Sequence, residues 1–520
     1  MSFSKTEKIA DALNRLGTLR PDAPLGVLDI GSNSVRLVGY SGSARTPLPI
    51  YNERAFCRLG EAVATSGRIE GAPYDLAIQT FHRFRAIAAQ LGIGNLAAFA
   101  TAAVRDAANG AEFVAEAEAI LGTKIRVLTG QEEANFSADG VMLSIRDADG
   151  IVADLGGGSL ELVRVKDNQT HQWATLPLGV LALEQKSNGD LQAAGRLVEA
   201  ALADLDWLSE GRDLPLYVVG GTWRSLAKVH MTFENYPLDV LHHYAVPSQD
   251  MLAFADTLVH HDANSEVDLE NSSSNRRDAL PIAAIVLDRL AQKASPKQII
   301  VSSNAVREGV LYSILEKKFR QLDPLLLACE EMAERMCKSA AYGHELAAWS
   351  RPLFAGQEVE FTDSKQLNRL RMAGCLISDM GWSSHSSFRA DFVRQTVLTA
   401  PFGGIDHYGR LFLAQALSFR HEIHSLPEMA SRLQLSPKDG KLAQAFGLSL
   451  RLAHSLSASL PELLPLTRLQ ARDDVLTLTM DPSLGELRGP IIDNRLRRVA
   501  DALQMRSHVE MKSVELDAPD

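Results

Sequence analysis

Asp154-Leu-Gly-Gly-Gly-Ser159-Leu-Glu161-Leu-Val163 decides the fold of this chain, because its pattern occurs once before, as Asp29-Ile-Gly-Ser-Asn-Ser34-Val-Arg36-Leu-Val38. Asp, Gly, Ser, Leu and Val recur at identical offsets in the two copies. A short apolar run lies on either side of each Gly/Ser segment, so each copy predicts a strand, a tight turn and a second strand. The copies lie about one domain length apart, which indicates a duplicated domain whose two turns face each other across a cleft.

Glycine-rich turns suit phosphate because their backbone N–H groups can approach its oxygens where no Cβ intervenes. One such turn is often only a tight connection, but two copies at the same spacing favour a phosphate ligand held between them. The candidate phosphate-binding residues are Gly31, Ser32, Asn33, Ser34 and Arg36 in the first copy and Gly156, Gly157, Gly158 and Ser159 in the second. Asp154 and Glu161, beside the second turn, are candidate ligands of Mg²⁺, with Mn²⁺ as the alternative ion.

The two copies differ in one charged position. Arg36 occupies the offset at which the second copy has Glu161. We therefore expect one turn to bind phosphate through a cation of the protein and the other through a metal ion. The structural alternatives are that Arg36 points away from the cleft and that Glu161 is an exposed carboxylate on a strand.

The rest of the sequence predicts four domains. Short apolar strands alternate with helix-compatible segments in residues 1–148 and again in residues 149–320, which is typical of two α/β domains. Residues 321–458 are rich in Ala and Leu with little strand signal and predict a helical domain, and residues 459–520 predict a small α+β domain. The Ser/Asn-rich stretch 264–277 predicts a surface loop.

Composition and charge exclude several classes of protein. With 520 residues, 46% of them hydrophobic and 22% charged, the chain is typical of a soluble multidomain enzyme. Its net charge of -11 argues against a nucleic-acid binder, but a polyanionic substrate stays open if basic residues form a local track. No apolar stretch is long enough to span a membrane, and residues 1–26 lack the apolar block of a secretory signal, so a cytoplasmic protein is expected. The cysteines are scattered without a CxxC pair, which predicts reduced thiols.

Several segments together resemble the exopolyphosphatase and guanosine pentaphosphatase (Ppx/GppA) family. The second copy is similar to the family's D-x-G-G-G-S-x-E signature, and segments 101–109, 129–134, 220–222 and 302–309 are similar to further motifs of the family. The resemblance implies two RNase H-like α/β domains of the actin-like ATPase (ASKHA) fold. It also implies Mg²⁺-dependent hydrolysis of a terminal phosphoanhydride with release of orthophosphate, and it adds Gly221 and Thr222 to the phosphate-binding candidates.

The same resemblance assigns catalytic residues. A carboxylate of the Glu132-Glu133 pair would be the general base that deprotonates the attacking water, with Glu133 favoured, and two adjacent carboxylates raise each other's pKa. Arg105 would place a guanidinium on the phosphoryl group under attack. From the local sequence alone, the acidic pair is also typical of an exposed helix start and Arg105 of a surface residue.

The helical domain resembles HD phosphohydrolase-like domains, with a departure at their metal-binding motif. His344 and His385 fit two of the expected positions, but the His-Asp pair reads Ser378-Asp379. Because a hydroxyl is a poor substitute for an imidazole ligand, this domain is expected to bind no metal. It is expected instead to hold long substrate through basic residues or to mediate a homodimer.

The sequence therefore favours a processive exopolyphosphatase that acts on inorganic polyphosphate. Guanosine pentaphosphate (pppGpp) is the alternative substrate, because it presents the same terminal phosphates. Two other classes stay open: an actin-like kinase, for which no acceptor-site signature is present, and a non-catalytic polyphosphate or alarmone sensor, against which the presence of both Glu132 and Glu133 argues.

Overall fold

The computed structural model describes residues 24–42, 45–260, 277–421 and 433–514. They form two compact units, a first unit that ends at Leu322 and a second unit that begins at Asp323. Most of the predicted loop at 264–277 lies outside the described residues. None of the described helices is both long enough and apolar enough to cross a membrane. The finer division into four domains stays a prediction.

The first sheet contains five strands in the order β3-β2-β1-β4-β5. They are β1 (Leu25–Ile30), β2 (Val35–Ser41), β3 (Leu48–Ala55), β4 (Asn95–Ala100) and β5 (Ile125–Val127). β1, β2 and β3 pair antiparallel, whereas β1, β4 and β5 pair parallel. The accompanying helices are α1 (Leu59–Ser66), α2 (Gly71–Gln90), α3 (Ala102–Asp106) and α4 (Gly110–Leu121).

The second sheet contains six strands in the order β10-β11-β9-β6-β7-β8. They are β6 (Gly150–Leu155), β7 (Leu160–Lys166), β8 (Gln169–Leu176), β9 (Pro215–Val219), β10 (Tyr244–Pro247) and β11 (Gln298–Val301). Read as β8-β7-β6-β9-β11, this sheet repeats the order and the strand directions of the first one. The duplication predicted from the two Gly/Ser turns is therefore confirmed at the level of topology.

Two helices, α5 (Gly130–Ser144) and α11 (Val306–Ile314), pack against each other between the two sheets. Their core cluster includes apolar residues of both sheets, such as Val27 and Val163. The two helices cross closely, because a Cβ added to Gly309 would lie 1.7 Å from the carbonyl oxygen of Phe136. The remaining helices of the first unit are α6 (Val180–Ser187), α7 (Leu191–Leu202), α8 (Gly221–Phe233), α9 (Ser248–Val259), α10 (Leu280–Ala294) and α12 (Lys317–Arg320).

The second unit is helical at first and ends in a small sheet, as predicted. Its helices are α13 (Pro324–Met336), α14 (Ala340–Ser350), α15 (Ser364–Leu376), α16 (Arg389–Thr399), α17 (His407–Arg420), α18 (Pro437–Ser457) and α19 (Pro490–Ala502). Strands β12 (Thr467–Arg472), β13 (Val475–Met480) and β14 (Arg506–Met511) form the sheet in that order. Helix α19 connects β13 to its parallel neighbour β14.

Candidate active site

The two Gly/Ser turns have the same backbone geometry. In the first turn (Gly31–Ser34), the N–H of Gly31 donates to the carbonyl of Ser34 at 3.0 Å, and in the second turn (Gly156–Ser159), the N–H of Gly156 donates to the carbonyl of Ser159 at 3.0 Å. The flanking strands are also in equivalent register, since Asp29 lies opposite Arg36 and Asp154 lies opposite Glu161. Each turn therefore closes a hairpin that carries a charged cross-strand pair at its base.

Both turns line one cleft with a volume of about 230 Å³. A third turn, which connects β9 to α8, lies beside them, and so does Glu133 from the start of α5. The phosphate-binding candidates that line the cleft are Gly31, Ser32, Asn33, Ser34, Gly156, Gly157, Gly158, Ser159, Gly221 and Thr222. The structure thus gathers ten of the predicted residues from three separate turns into a single space.

Glu133 is the carboxylate best suited to proton transfer in this cleft. It lies in the first turn of α5, and its side chain is only 13% exposed. Burial and the nearby charge of Asp154 raise the pKa of Glu133 to about 7, although Arg105 opposes this shift with a guanidinium nitrogen 3.5 Å from Oε2 of Glu133. A carboxylate with a pKa in this range can accept a proton from water near neutral pH.

Glu132 has a different environment, although it is adjacent in sequence. Its carboxylate accepts the backbone N–H of Thr129 at 2.8 Å, while the Thr129 hydroxyl accepts the N–H of Glu132 at 3.2 Å, which forms a capping box at the start of α5. The hydrogen bond from the Thr129 backbone, followed by that from Arg126, lowers the pKa of Glu132. Glu132 does not line the cleft. The structure therefore gives this residue a role in capping the helix.

Arg105 and Arg36 lie near the cleft without lining it. The Arg105 guanidinium donates to the carbonyl of Leu128 at 3.0 Å as well as lying beside Glu133, so it is held next to the candidate base. Arg36 donates to the Asn52 side chain at 2.8 Å. Burial, together with the positive charge of Arg307 and other arginines, lowers the pKa of Arg36 to about 9. The region around the first hairpin is therefore strongly electropositive.

The predicted metal ligands Asp154 and Glu161 are both buried carboxylates. Asp154 lines the cleft and accepts a hydrogen bond from the Ser137 hydroxyl at 2.7 Å. Glu161 is 2% exposed, and its Oε1 has no hydrogen-bond partner among the described residues. Burial raises the pKa of both groups, and the charge of Glu133 raises that of Glu161 further. A divalent cation at this position would offset the cost of burying the carboxylates.

The carboxylates near the second turn do not by themselves enclose an ion. Within the described part of the chain, no group of three or more His, Cys, Asp or Glu side chains is arranged to hold a metal. Mg²⁺ is usually bound by one or two carboxylates, with water and substrate phosphate oxygens completing its octahedron. The residues present fit an ion of that kind, for which Asp154 and Glu161 would be the protein ligands.

Several cleft residues were not predicted from the sequence. Arg54 on β3, Arg224 on α8 and Arg307 at the start of α11 all line the cleft, together with Asp29. Arg307 donates to Oδ2 of Asp29 at 2.8 Å, and this pair joins the second half of the unit to the first hairpin. Arg307 lies within one of the segments that resemble the family, whereas Arg54 and Arg224 belong to no recognisable motif.

The HD-like positions of the second unit do not converge. His344 contacts the carboxylate of Glu330 at 2.9 Å, and His385 accepts the backbone N–H of Ser387. The Arg420 guanidinium forms an ion pair with Oδ1 of Asp379 at 2.7 Å, and both side chains are 5% exposed. The Asp379 carboxylate is therefore neutralised by an arginine of the same unit.

Comparisons with known proteins agree with this geometry. Residues 40–318 match the Ppx/GppA phosphatase family, and residues 325–509 match the domain described as exopolyphosphatase, C-terminal. An "Exopolyphosphatase 1" of Mycobacterium leprae is 29% identical over 317 residues, which are 56% of this chain and 90% of that protein. A "Guanosine-5'-triphosphate,3'-diphosphate pyrophosphatase" of Vibrio cholerae is 26% identical over 484 residues, which are 87% of this chain and 91% of that protein.

A solved exopolyphosphatase from Cytophaga hutchinsonii superposes with a TM-score of 0.51 at 22% identity, over 56% of this chain and 97% of that one. Its fold is the duplicated actin-like fold implied by the sequence. The family match extends over more than half of the chain and contains the second phosphate turn, whereas the first turn lies before its first residue. The chain belongs to the Ppx/GppA phosphatase family.

Proposed function

We propose that this chain is an exopolyphosphatase, which hydrolyses the terminal phosphoanhydride of inorganic polyphosphate and releases orthophosphate with Mg²⁺ as cofactor. The observation that carries the proposal is the position of Glu133. It is a buried carboxylate with a pKa near 7 in a cleft lined by two matching phosphate turns. A sensor that only binds polyphosphate has no need of such a base, and a kinase would need an acceptor hydroxyl in place of water.

The reaction follows from the positions of the side chains. The Glu133 carboxylate accepts a proton from a water molecule, whose oxygen attacks the terminal phosphorus as the bond to the bridging oxygen breaks. The shortened chain leaves with the bridging oxygen and its electron pair. Arg105, held beside Glu133, orients the carboxylate and supplies positive charge near the phosphoryl group. The N–H groups of the two turns hold the phosphate oxygens in line for attack.

Asp154 and Glu161 would hold the Mg²⁺ ion, which when bound supplies charge neutralisation at the phosphate oxygens. Arg54, Arg224 and Arg307, which also line the cleft, provide a second set of positive charges. These arginines suit the phosphates that follow the terminal one, because guanidinium groups bind phosphate oxygens in a bidentate manner.

Guanosine pentaphosphate is the second candidate substrate. The relative that spans both units of this chain carries the name of a guanosine pentaphosphate pyrophosphatase, whereas the exopolyphosphatase relative matches only about the length of the first unit. The presence of the second unit therefore does not by itself favour polyphosphate. Processive action, a cytoplasmic location and a homodimer stay predictions from the sequence.

The test compares orthophosphate release from long-chain polyphosphate, guanosine pentaphosphate and ATP, with and without Mg²⁺. We expect Glu133→Gln to lower kcat by at least ~10²-fold, which is the usual scale for a general base, with little change in substrate binding. Glu132→Gln is the matched control. Because a glutamine can also complete the capping box at the start of α5, this variant should keep its fold and most of its turnover.

The opposite pattern, an active Glu133→Gln enzyme and an inactive Glu132→Gln enzyme, would assign the base to Glu132. Failure of the native chain to release orthophosphate from any of the three compounds would favour the sensor. Hydrolysis of ATP in preference to both other substrates would contradict the proposed substrate class.

A further inference from the structure

In both phosphate turns, backbone carbonyl groups accept hydrogen bonds from a segment that comes later in the chain. In the first turn, the N–H of Gly60 donates to the carbonyl of Ser32 at 2.7 Å, and the N–H of Arg58 donates to that of Asn33 at 3.0 Å. These donors lie at the start of α1, which follows β3, the strand that pairs with the hairpin. The first turn is therefore fixed by hydrogen bonds that do not belong to its own hairpin.

The second turn is held in the same way by the start of α6. The N–H of Val180 donates to the carbonyl of Gly156 at 3.1 Å, and the N–H of Leu181 donates to that of Gly157 at 2.9 Å. Helix α6 likewise follows β8, the strand that pairs with the second hairpin. Both copies therefore support the turn through the start of a helix. The carbonyls that are held belong to the second and third residues of the first turn and to the first and second residues of the second turn.

These hydrogen bonds set the direction of the phosphate-binding groups. In a trans peptide the C=O and the N–H point in opposite directions. When the carbonyls of Gly156 and Gly157 are held against α6, the N–H groups of Gly157 and Gly158 are turned to the other side, where both residues line the cleft. The start of α6 therefore controls whether the second turn presents its donors to phosphate.

Gly179, immediately before α6, is the residue on which this support depends most. A Cβ at this position would lie 2.4 Å from the carbonyl carbon and oxygen of Gly157 and 2.4 Å from the carbonyl carbon of Gly158. Its backbone angles, φ -62° and ψ 155°, are ordinary for any L-residue. The requirement for glycine therefore comes entirely from the close approach of the turn.

Gly60, which contacts the first turn from the start of α1, is less restrictive. A Cβ at Gly60 would lie 3.0 Å from the Cβ of Ser32 and 3.3 Å from its carbonyl oxygen. Small shifts can relieve such contacts, whereas a 2.4 Å contact with backbone atoms cannot be relieved without moving the turn. Alanine at Gly60 should therefore disturb its turn less than alanine at Gly179, and the two substitutions can be compared in one experiment.

We propose that Gly179 is a positioning residue of the phosphate site, which lets α6 dock on the second turn and aim the N–H groups of Gly157 and Gly158 into the cleft. Its effect on catalysis rests on the proposed function. Its effect on phosphate binding does not, because orthophosphate itself is a ligand for the same N–H groups.

The test measures orthophosphate binding by titration calorimetry in the full-length chain. Gly179→Ala should weaken orthophosphate affinity by about tenfold or more, as expected when two or more hydrogen bonds to the anion are misdirected, and lower kcat/KM for polyphosphate by ~10²-fold. Gly60→Ala should change either quantity by less than about threefold. Gly195→Ala is the control, since its Cβ would make only ordinary contacts, with the Arg289 guanidinium at 3.5 Å and with Cγ2 of Ile285 at 3.7 Å, and both quantities should stay unchanged.

A second variant keeps the test decisive if Gly179→Ala fails to fold. Val180→Pro removes the N–H that binds the Gly156 carbonyl, and proline is well tolerated at the first position of a helix. It should weaken orthophosphate binding by about fivefold, the usual net value of one hydrogen bond, with native circular dichroism.

Orthophosphate affinities of Gly179→Ala and Val180→Pro within about twofold of the native value would overturn the positioning role, and so would a native chain that does not bind orthophosphate. A native chain that binds orthophosphate but hydrolyses neither polyphosphate nor guanosine pentaphosphate would refute the proposed function alone. The binding comparison would then still decide the role of Gly179.

Discussion

Replacing Gly309 with alanine should disturb the packing in the centre of the first unit and thereby lower the rate of catalysis. Gly309 lies in α11 where this helix crosses α5, and an added Cβ would lie 1.7 Å from the carbonyl oxygen of Phe136 and 3.0 Å from the backbone nitrogen of Gly140. Ordinary contacts of this kind begin at 3.4 Å. The helices must therefore separate or tilt by roughly 1 Å or more to accept one methyl group.

The expected loss of stability is the difference between two contributions. Overpacking of a close contact costs typically about 1–3 kcal/mol, and the intrinsic preference of a helix for Ala over Gly offsets up to about 1 kcal/mol of this. We therefore expect a net loss of about 1–2 kcal/mol, or a fall of about 2–8 °C in Tm for a domain of this size. Because Glu133 lies on α5 and Arg307 on α11, the same shift separates catalytic groups, and a displacement of about 1 Å can lower kcat by ~10²-fold.

The assay combines differential scanning calorimetry with orthophosphate release, and Gly195→Ala serves as the control. Gly195 lies in α7, where a Cβ makes only ordinary contacts, so this variant should be more stable than the native chain by about 0.5–1 kcal/mol and equally active. A Gly309→Ala enzyme with native Tm and native kcat would refute the reasoning. A lower Tm with native kcat would show that the crossing stabilises the unit but does not position the site.

Three further outcomes are expected. Glu161→Gln should raise the Mg²⁺ concentration needed for half-maximal rate without lowering Tm, because it removes a buried charge; a lower Tm with an unchanged Mg²⁺ titration would indicate a structural role. A chain that ends at Leu322 should still cleave short polyphosphates but lose affinity for long chains and part of its salt dependence, and identical chain-length preference in both forms would exclude substrate binding by the second unit. The second unit should lose stability as pH falls from about 6.5 towards 4, measured by urea unfolding at several pH values. Burial and then the charge of Arg420 lower the pKa of His421 to about 3 and that of His454 to about 4, so the unfolded chain binds more protons in this window, and a flat profile would contradict the assignment.

The hairpins and their turns were predictable from the sequence because their information is local. A strand, a Gly/Ser turn and a second strand fix their own register, and the observed pairs of Asp29 with Arg36 and of Asp154 with Glu161 follow directly from the spacing. The order of the strands in each sheet was implied by the family resemblance. It could not be derived from the hairpins alone, since β4, β5, β9 and β11 join the sheets through distant crossovers.

The sequence contains a local pattern that distinguishes the two adjacent glutamates. Thr129-Gly-Gln-Glu132 fits the capping-box pattern, in which the fourth residue folds back on the helix start. Successive residues of a helix are rotated by about 100°, so Glu133 must point elsewhere, and the structure places it in the cleft. By contrast, Arg54 and Arg224 reach the cleft only because β3 and α8 are brought together by the tertiary fold, and no local pattern marks them.

The charges at the bases of the two hairpins differ, although the two turns close in the same way. At the first hairpin, Asp29 is neutralised by Arg307 at 2.8 Å and lies opposite Arg36, so the carboxylate is outnumbered by cations. At the second hairpin, Asp154 accepts a hydrogen bond from the neutral hydroxyl of Ser137 and lies opposite a second buried carboxylate, Glu161. Under the proposed function, phosphate oxygens are therefore attracted to the first turn directly, whereas at the second turn a cation between them and the carboxylates would add to the binding by the backbone N–H groups. The exchange of Arg36 for Glu161 at equivalent positions, together with the pairing of Asp29 with Arg307, gives the two hairpins different charges.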